Sequence, residues 1–188
     1  MKFLIIYGTS EGQTRKIARF IEEVIENQGH RASIANATDE PPAPDAFDSI
    51  LIGSSIHMHK YHPAVVSYVN RHHVTLNRMP SVFFSVCMAV ASDIREEHEE
   101  AQQIAREFLE AANWKTQEVW HVAGALKYTQ YDYFKRLVMR MIAKRQGGDT
   151  DTSKDHEYTN WEDLKNRIGA FLKKTETAVD STGSNRSV

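Results

Sequence analysis

The feature that most constrains this chain is a regular alternation of short strand-like segments with helical ones. "KFLIIY" (2–7), "RASIAN" (31–36), "DSILIGSS" (48–55), "PSVFFSVCM" (80–88) and "TQEVWHVAGAL" (116–126) are the strand-like segments. Apolar runs of this length are the kind buried on both faces of a sheet. Parallel neighbours need a long crossover, and helical segments occupy the intervals. The expected fold class is α/β, a doubly wound five-stranded parallel sheet with right-handed crossovers.

The helical segments carry their own punctuation. Ile17, Phe20, Ile21, Val24 and Ile25 recur at helical spacing, and "NQG" (27–29) supplies a glycine stop. "DEPPAPD" (39–45) is a proline-rich loop. "PAVVSYVNRHHVTL" (63–76) reads as a helix with proline in its first turn. The charged stretch from Arg95 to Trp114 reads as a long helix with Ile104, Phe108 and Leu109 inward, and residues 160–174 as a closing helix. One domain is expected over 1–174, with a long insertion in the fifth-strand region at about 127–157. The polar tail 175–188 lacks an apolar period and is expected to be disordered.

Composition narrows the class. Net charge is −2 over 188 residues, so attraction to nucleic acid or lipid must come from local patches. The single cysteine, Cys87, excludes an internal disulfide framework and agrees with a reducing compartment. No signal sequence and no run of about 20 apolar residues is visible. The expected location is cytoplasmic, peripheral on the inner face of the cell membrane if membrane-bound at all.

In a doubly wound sheet of order 2-1-3-4-5, ligands bind beyond the carboxyl ends of the first and third strands. The first end is "GTSEGQT" (8–14), with hydroxyls, a glycine and an immediate helix start. Unpaired helix N–H groups and the aligned peptide dipoles favour an anion there. Gly12 would let the backbone approach closely. A nucleotide-triphosphate loop needs a lysine where Gln13 stands, and a dinucleotide fingerprint needs three glycines where only Gly8 and Gly12 occur. A neutral, hydroxyl-lined loop suits a monophosphate held by hydrogen bonds. The alternative is that Thr9 or Ser10 only caps the helix, worth about 1 kcal/mol.

Thr9-Ser10-Glu11-Gly12-Gln13-Thr14 resembles the phosphate loop of flavodoxins, S/T-x-T-G-x-T, with Glu11 departing at the third position. From Lys2 to about Phe171 the chain resembles the menaquinone-dependent protoporphyrinogen IX dehydrogenases, which are flavodoxin-like enzymes of haem synthesis. The residues carrying this are "EGQTR" (11–15), "IGSSIHMHKYH" (52–62), "MPSVFFSV" (79–86), "AGALKYTQY" (123–131), "GGDTDT" (147–152) and "YTNWE" (158–162). The resemblance implies an FMN phosphate held by Thr9, Ser10, Glu11, Gly12, Gln13 and Thr14. It implies an isoalloxazine ring between Ser54, Ser55, Ile56 and His57 on one side and Ser85, Val86, Cys87, Met88 and Ala89 on the other. The aromatic ring clamps of typical flavodoxins have no counterpart in these loops, which leaves one ring face open to a substrate.

His57, His59 and His62 lie within six residues. Without a cysteine or carboxylate beside them, no metal site is expected. An extended backbone would send His57 and His59 to one side. One of them could pack on the flavin in a solvated loop, or could take up protons or hold a propionate as porphyrinogen is oxidised. "YDYFKRLVMRMIAKR" (131–145) sets Phe134, Leu137, Val138, Met141 and Ile142 on one helical face. Lys135, Arg136, Arg140, Lys144 and Arg145 against Asp132 make a local +4. Such a helix could lie on an anionic membrane surface, hold porphyrin propionates, or pack on the sheet edge with solvated cations. "GGDTDTSKD" (147–155) reads as a polar return loop, because its three Asp lack a calcium framework.

Three functions are therefore weighed. The first is FMN-dependent oxidation of protoporphyrinogen IX to protoporphyrin IX with menaquinone, or another quinone, as acceptor. The second is a flavodoxin-type electron carrier or another FMN-dependent quinone reductase, and the third is a binding module that has lost flavin. The choice of substrate rests on the resemblance alone.

Overall fold

Side-chain alternation on the strands divides the core into two layers. On β1 (Lys2–Gly8), Phe3, Ile5 and Tyr7 face one way and Leu4 and Ile6 the other. The same parity holds on β3 (Ser49–Ser55) and β4 (Ser81–Cys87), where Leu51, Val82, Phe84 and Val86 oppose Ile50, Ile52 and Phe83. Burial on both faces is what a central parallel strand requires. Helices α1 (Gln13–Asn27) and α4 (Trp161–Gly183) cover the first layer, through Ile17, Ile21, Leu164, Ile168 and Phe171. Helices α2 (Pro63–Leu76) and α3 (Arg95–Ala111) cover the second, through Val65, Val69 and Ala105.

The computed structural model describes residues 1–92, 94–126 and 156–183. With β2 (Arg31–Asn36) and β5 (Glu118–Ala123), the main sheet has the order β2-β1-β3-β4-β5, every neighbour parallel. This is the flavodoxin-like order expected from the sequence. The chain reverses direction across the sheet between β1 and β3, so the two strand ends at Gly8 and Ser55 open a crevice.

Two expectations change. The fifth strand ends at Ala123; Ala125–Leu126 forms a separate strand, β6, paired antiparallel with β7 (His156–Glu157). Gly124 makes the break, its N–H reaching the Cys87 carbonyl at 3.3 Å while the chain turns away. The closing helix runs on to Gly183, so the expected disordered tail is helical through that residue. Thr175 extends the buried stripe of Leu164, Ile168, Phe171 and Leu172 by one more turn, and its hydroxyl donates to the Phe171 carbonyl at 2.8 Å. In α3 the fully buried residues are Ala101 and Ala105, while Ile104, Phe108 and Leu109 pack half-buried against the second layer. Most of the insertion expected at 127–157, with Lys135, Arg136, Arg140, Lys144 and Arg145, lies outside the described residues.

Candidate functional site

The crevice is a shallow cleft lined by the loop after β1, the loop after β3, the end of β4 and Gly124. On the loop side its walls are Thr9, Ser10, Glu11, Gln13 and Thr14. Ser55, Ile56 and His57 form a second wall, and Val86, Cys87 and Met88 a third.

The loop is built to leave donors unspent. Gly12 stands at the N-cap of α1 with φ of +94°, a left-handed conformation that disfavours other residues. A Cβ there would meet no protein atom within 4 Å, so within the protein itself it is the sign of φ that requires glycine. The Thr9 hydroxyl accepts from the Gly12 N–H at 2.8 Å and ties the loop to itself. Gly12 offers no side chain to cap the first turn, so Thr9 and Ser10 do not act as the helix cap. Thr14 is fully buried, lines the cleft, and its Oγ1 has no hydrogen-bond partner. A buried hydroxyl left unpaired costs roughly 1–3 kcal/mol unless a ligand satisfies it. An orphaned donor beside a helix N-terminus fits a phosphate oxygen.

The Gln13 side-chain amide donates to Glu157 at 2.8 Å and to Thr159 at 3.0 Å, which leaves its main-chain N–H as its donor for an anion. Thr159 in turn donates to the Ala123 carbonyl at 2.7 Å. Lys16, two residues after Thr14, is held 2.7 Å from Glu157 and lies over the Trp161 ring at 5.3 Å. Burial pushes the Glu157 carboxyl up, but hydrogen bonds from Lys16 and Gln13 outweigh it and hold the group below the usual carboxylate range.

Two expected ring contacts lie beneath the wall instead of on it. Ser54 is fully buried, and its Oγ accepts from the His62 N–H at 2.9 Å. Ser85 is fully buried too and shares a hydrogen bond of 2.8 Å with the Tyr61 hydroxyl. Burial pushes the Tyr61 phenol up, so this pair is neutral at physiological pH. Both bonds, with the Ile56 N–H to the Val86 carbonyl at 2.9 Å, fasten the histidine loop to β3 and β4. Ala89 belongs to a 3-10 turn, Met88–Ala91, and is not part of the lining.

The histidine loop is a tight turn, not the extended backbone that would send His57 and His59 to one side. His57 and Lys60 exchange both backbone bonds, at 2.8 and 3.0 Å, with Met58 (φ 49°) and His59 (φ 63°) at the tip. Two successive left-handed residues are the signature of a type I′ turn. It separates the imidazoles: His57 lines the cleft, His59 pairs with Glu100 at 2.8 Å, and His62 Nδ1 caps α2 by accepting from the Ala64 N–H. Cys87 lines the third wall, and burial pushes its thiol up against two opposing backbone hydrogen bonds, so it stays protonated at neutral pH. Among the described residues the cleft has no Trp, Tyr or Phe wall.

Gly124, Glu157 and Thr159 were not foreseen. A glycine inside a strand-like run signals a break. No local pattern brings Glu157 to a loop 144 residues earlier in the chain.

Residues 4–153 match the flavodoxin domain family. The chain is 37% identical over 167 residues to the protoporphyrinogen IX dehydrogenase (quinone) of Escherichia coli K12, covering 88% of this chain and 92% of that one. It is 33% identical over 162 residues to the Leishmania major enzyme of the same name, covering 85% and 70%. The oxidised flavodoxin 1 of Bacillus cereus superposes with a TM-score of 0.57 at 16% identity, covering 92% of this chain and 98% of that one. The chain belongs to the flavodoxin family and, within it, to the protoporphyrinogen IX dehydrogenases (quinone).

Proposed function

We propose that this chain binds FMN in the cleft and oxidises protoporphyrinogen IX to protoporphyrin IX, passing the electrons to a quinone, with menaquinone the acceptor we favour. The observation that carries the cofactor is the buried, unpartnered Thr14 Oγ1 beside an uncapped helix start. Substrate and acceptor follow the names of the two relatives, each matched over more than four-fifths of this chain.

When bound, the flavin would supply two-electron redox chemistry, so the six-electron oxidation of the porphyrinogen takes three turns and reduces three quinones. The chain's own residues do the rest. Main-chain N–H groups at the start of α1 and the Thr14 hydroxyl hold the phosphate without a lysine. Ile56, His57 and Met88 border the ring position, and the lack of an aromatic clamp leaves a face open to a tetrapyrrole. His57 is the imidazole that reaches the cleft, so it can accept a proton as the porphyrinogen loses hydrogen. His59 pairs with Glu100 outside the cleft, which favours His57 for that role.

The test is fluorescence of the porphyrin product from purified protein and protoporphyrinogen, with and without FMN and a menaquinone analogue. Signal that needs both additions is expected. No fluorescence above the spontaneous rate from a protein that binds FMN would leave the electron-carrier reading.

A further inference from the structure

The insertion begins and ends in the β6–β7 ribbon, and that ribbon touches the anion loop through one side chain. Gln13 Nε2 spends both N–H groups on it, one on Glu157 Oε1 at 2.8 Å and one on Thr159 Oγ1 at 3.0 Å. Thr159, buried, passes the connection on to the Ala123 carbonyl at the end of β5. The next residue, Gly124, lines the cleft and accepts at its carbonyl from the Tyr158 N–H at 3.2 Å. A closed circuit of hydrogen bonds thus runs from the first helical residue of the anion loop, across the ribbon, to the far wall of the same cleft.

Gln13 serves both sides of this circuit. Its backbone N–H belongs to the uncapped first turn of α1, while its side chain is fixed by the ribbon. Fixing that residue before the ligand arrives reduces the ordering cost of binding. The effect must run both ways, because a coupling free energy between two sites is reciprocal.

We propose that Glu157 and Thr159 are positioning residues for the cofactor phosphate, acting through Gln13, so that FMN occupancy and closure of the β6–β7 ribbon strengthen each other. This rests on the reading of the cleft as an FMN site.

The experiment is a double-mutant cycle on the full chain, read as FMN affinity by fluorescence quenching. Gln13→Ala keeps the backbone donor and loses the latch; Glu157→Ala loses its acceptor. Each is expected to raise the Kd for FMN about fivefold to tenfold, the double variant no more than either alone. Glu157→Gln, which keeps an oxygen acceptor and ends only the exposed ion pair with Lys16, is expected to restore affinity to within about twofold of wild type. Hydrogen exchange supplies the second readout: FMN should slow exchange at the Tyr158 amide in the wild type and fail to do so in Gln13→Ala. Unchanged Kd in both single variants, additive losses in the double variant, or loss in Glu157→Gln equal to that in Glu157→Ala would overturn the proposal. Wild-type protein that binds no FMN would remove the cofactor reading and this proposal with it.

Discussion

Thr14 shows how one side chain can be wrong for the empty fold and right for a ligand. Its hydroxyl is buried with no partner, in a position where valine has nearly the same shape. Removing an unpaired buried hydroxyl is neutral or mildly stabilising, whereas a hydrogen bond to a charged group contributes roughly 1.5–3 kcal/mol. Thr14→Val should therefore leave the melting temperature of the apoprotein unchanged or raise it slightly. The same change should weaken FMN about tenfold to a hundredfold in a fluorescence titration. Loss of apoprotein stability with unaltered FMN affinity would show that the hydroxyl serves packing alone. Thr14 drew notice in the sequence as a hydroxyl residue after the first strand, where helix capping is the other use of such residues. Ser54 and Ser85 were misread for want of parity: Ser54 shares a face with Ile50 and Ile52, and Ser85 with Phe83, so both point into the α2–α3 layer.

Among the elements, those governed by local pattern were legible almost to the residue. β2 is Arg31–Asn36 and α2 is Pro63–Leu76, as their alternation and first-turn proline suggest. What was illegible depends on pairing over distance or on turns without turn residues. β6 exists only because His156–Glu157 comes back to it. The Met58–His59 turn carries no glycine or asparagine to announce two left-handed residues. Gly53, in the middle of β3, has a reason visible only in the packed sheet: a Cβ there would lie 1.8 Å from Cε2 of Phe84. Phe84 is fully buried on the neighbouring strand, in register with Gly53, and its ring has nowhere to retreat. Gly53→Ala should cost about 1–3 kcal/mol by overpacking. For a chain of this size that is a fall of roughly 3–10 °C in Tm by calorimetry. An unchanged Tm would mean that β3 and β4 can part at the edge of the cleft.

At the scale of the molecule, charge is distributed unevenly. A chain of net −2 that holds +4 within residues 131–145 carries −6 over the rest, so that stretch is set against the field of its own protein. Among the described residues no helix is long and apolar enough to cross a membrane. A quinone that dissolves in lipid would be reached most directly at a lipid surface. Lys135, Arg136, Arg140, Lys144 and Arg145 could supply up to roughly 5 kcal/mol toward an anionic leaflet, at about 1 kcal/mol per cation. The remaining negative charge would be repelled from the same leaflet, which orients the molecule as well as binding it. We therefore expect full-length protein to co-sediment with vesicles containing anionic lipid and to stay in solution with purely zwitterionic ones. Binding should weaken sharply between low and physiological salt, because the attraction is screened within about 8 Å at 0.15 M. Changing the five cations to Glu should abolish it. Equal binding to both vesicle types would shift the attraction to Phe134, Leu137, Val138, Met141 and Ile142, the apolar side of the same stretch. No binding to either would mean that the quinone is reached without a lipid surface.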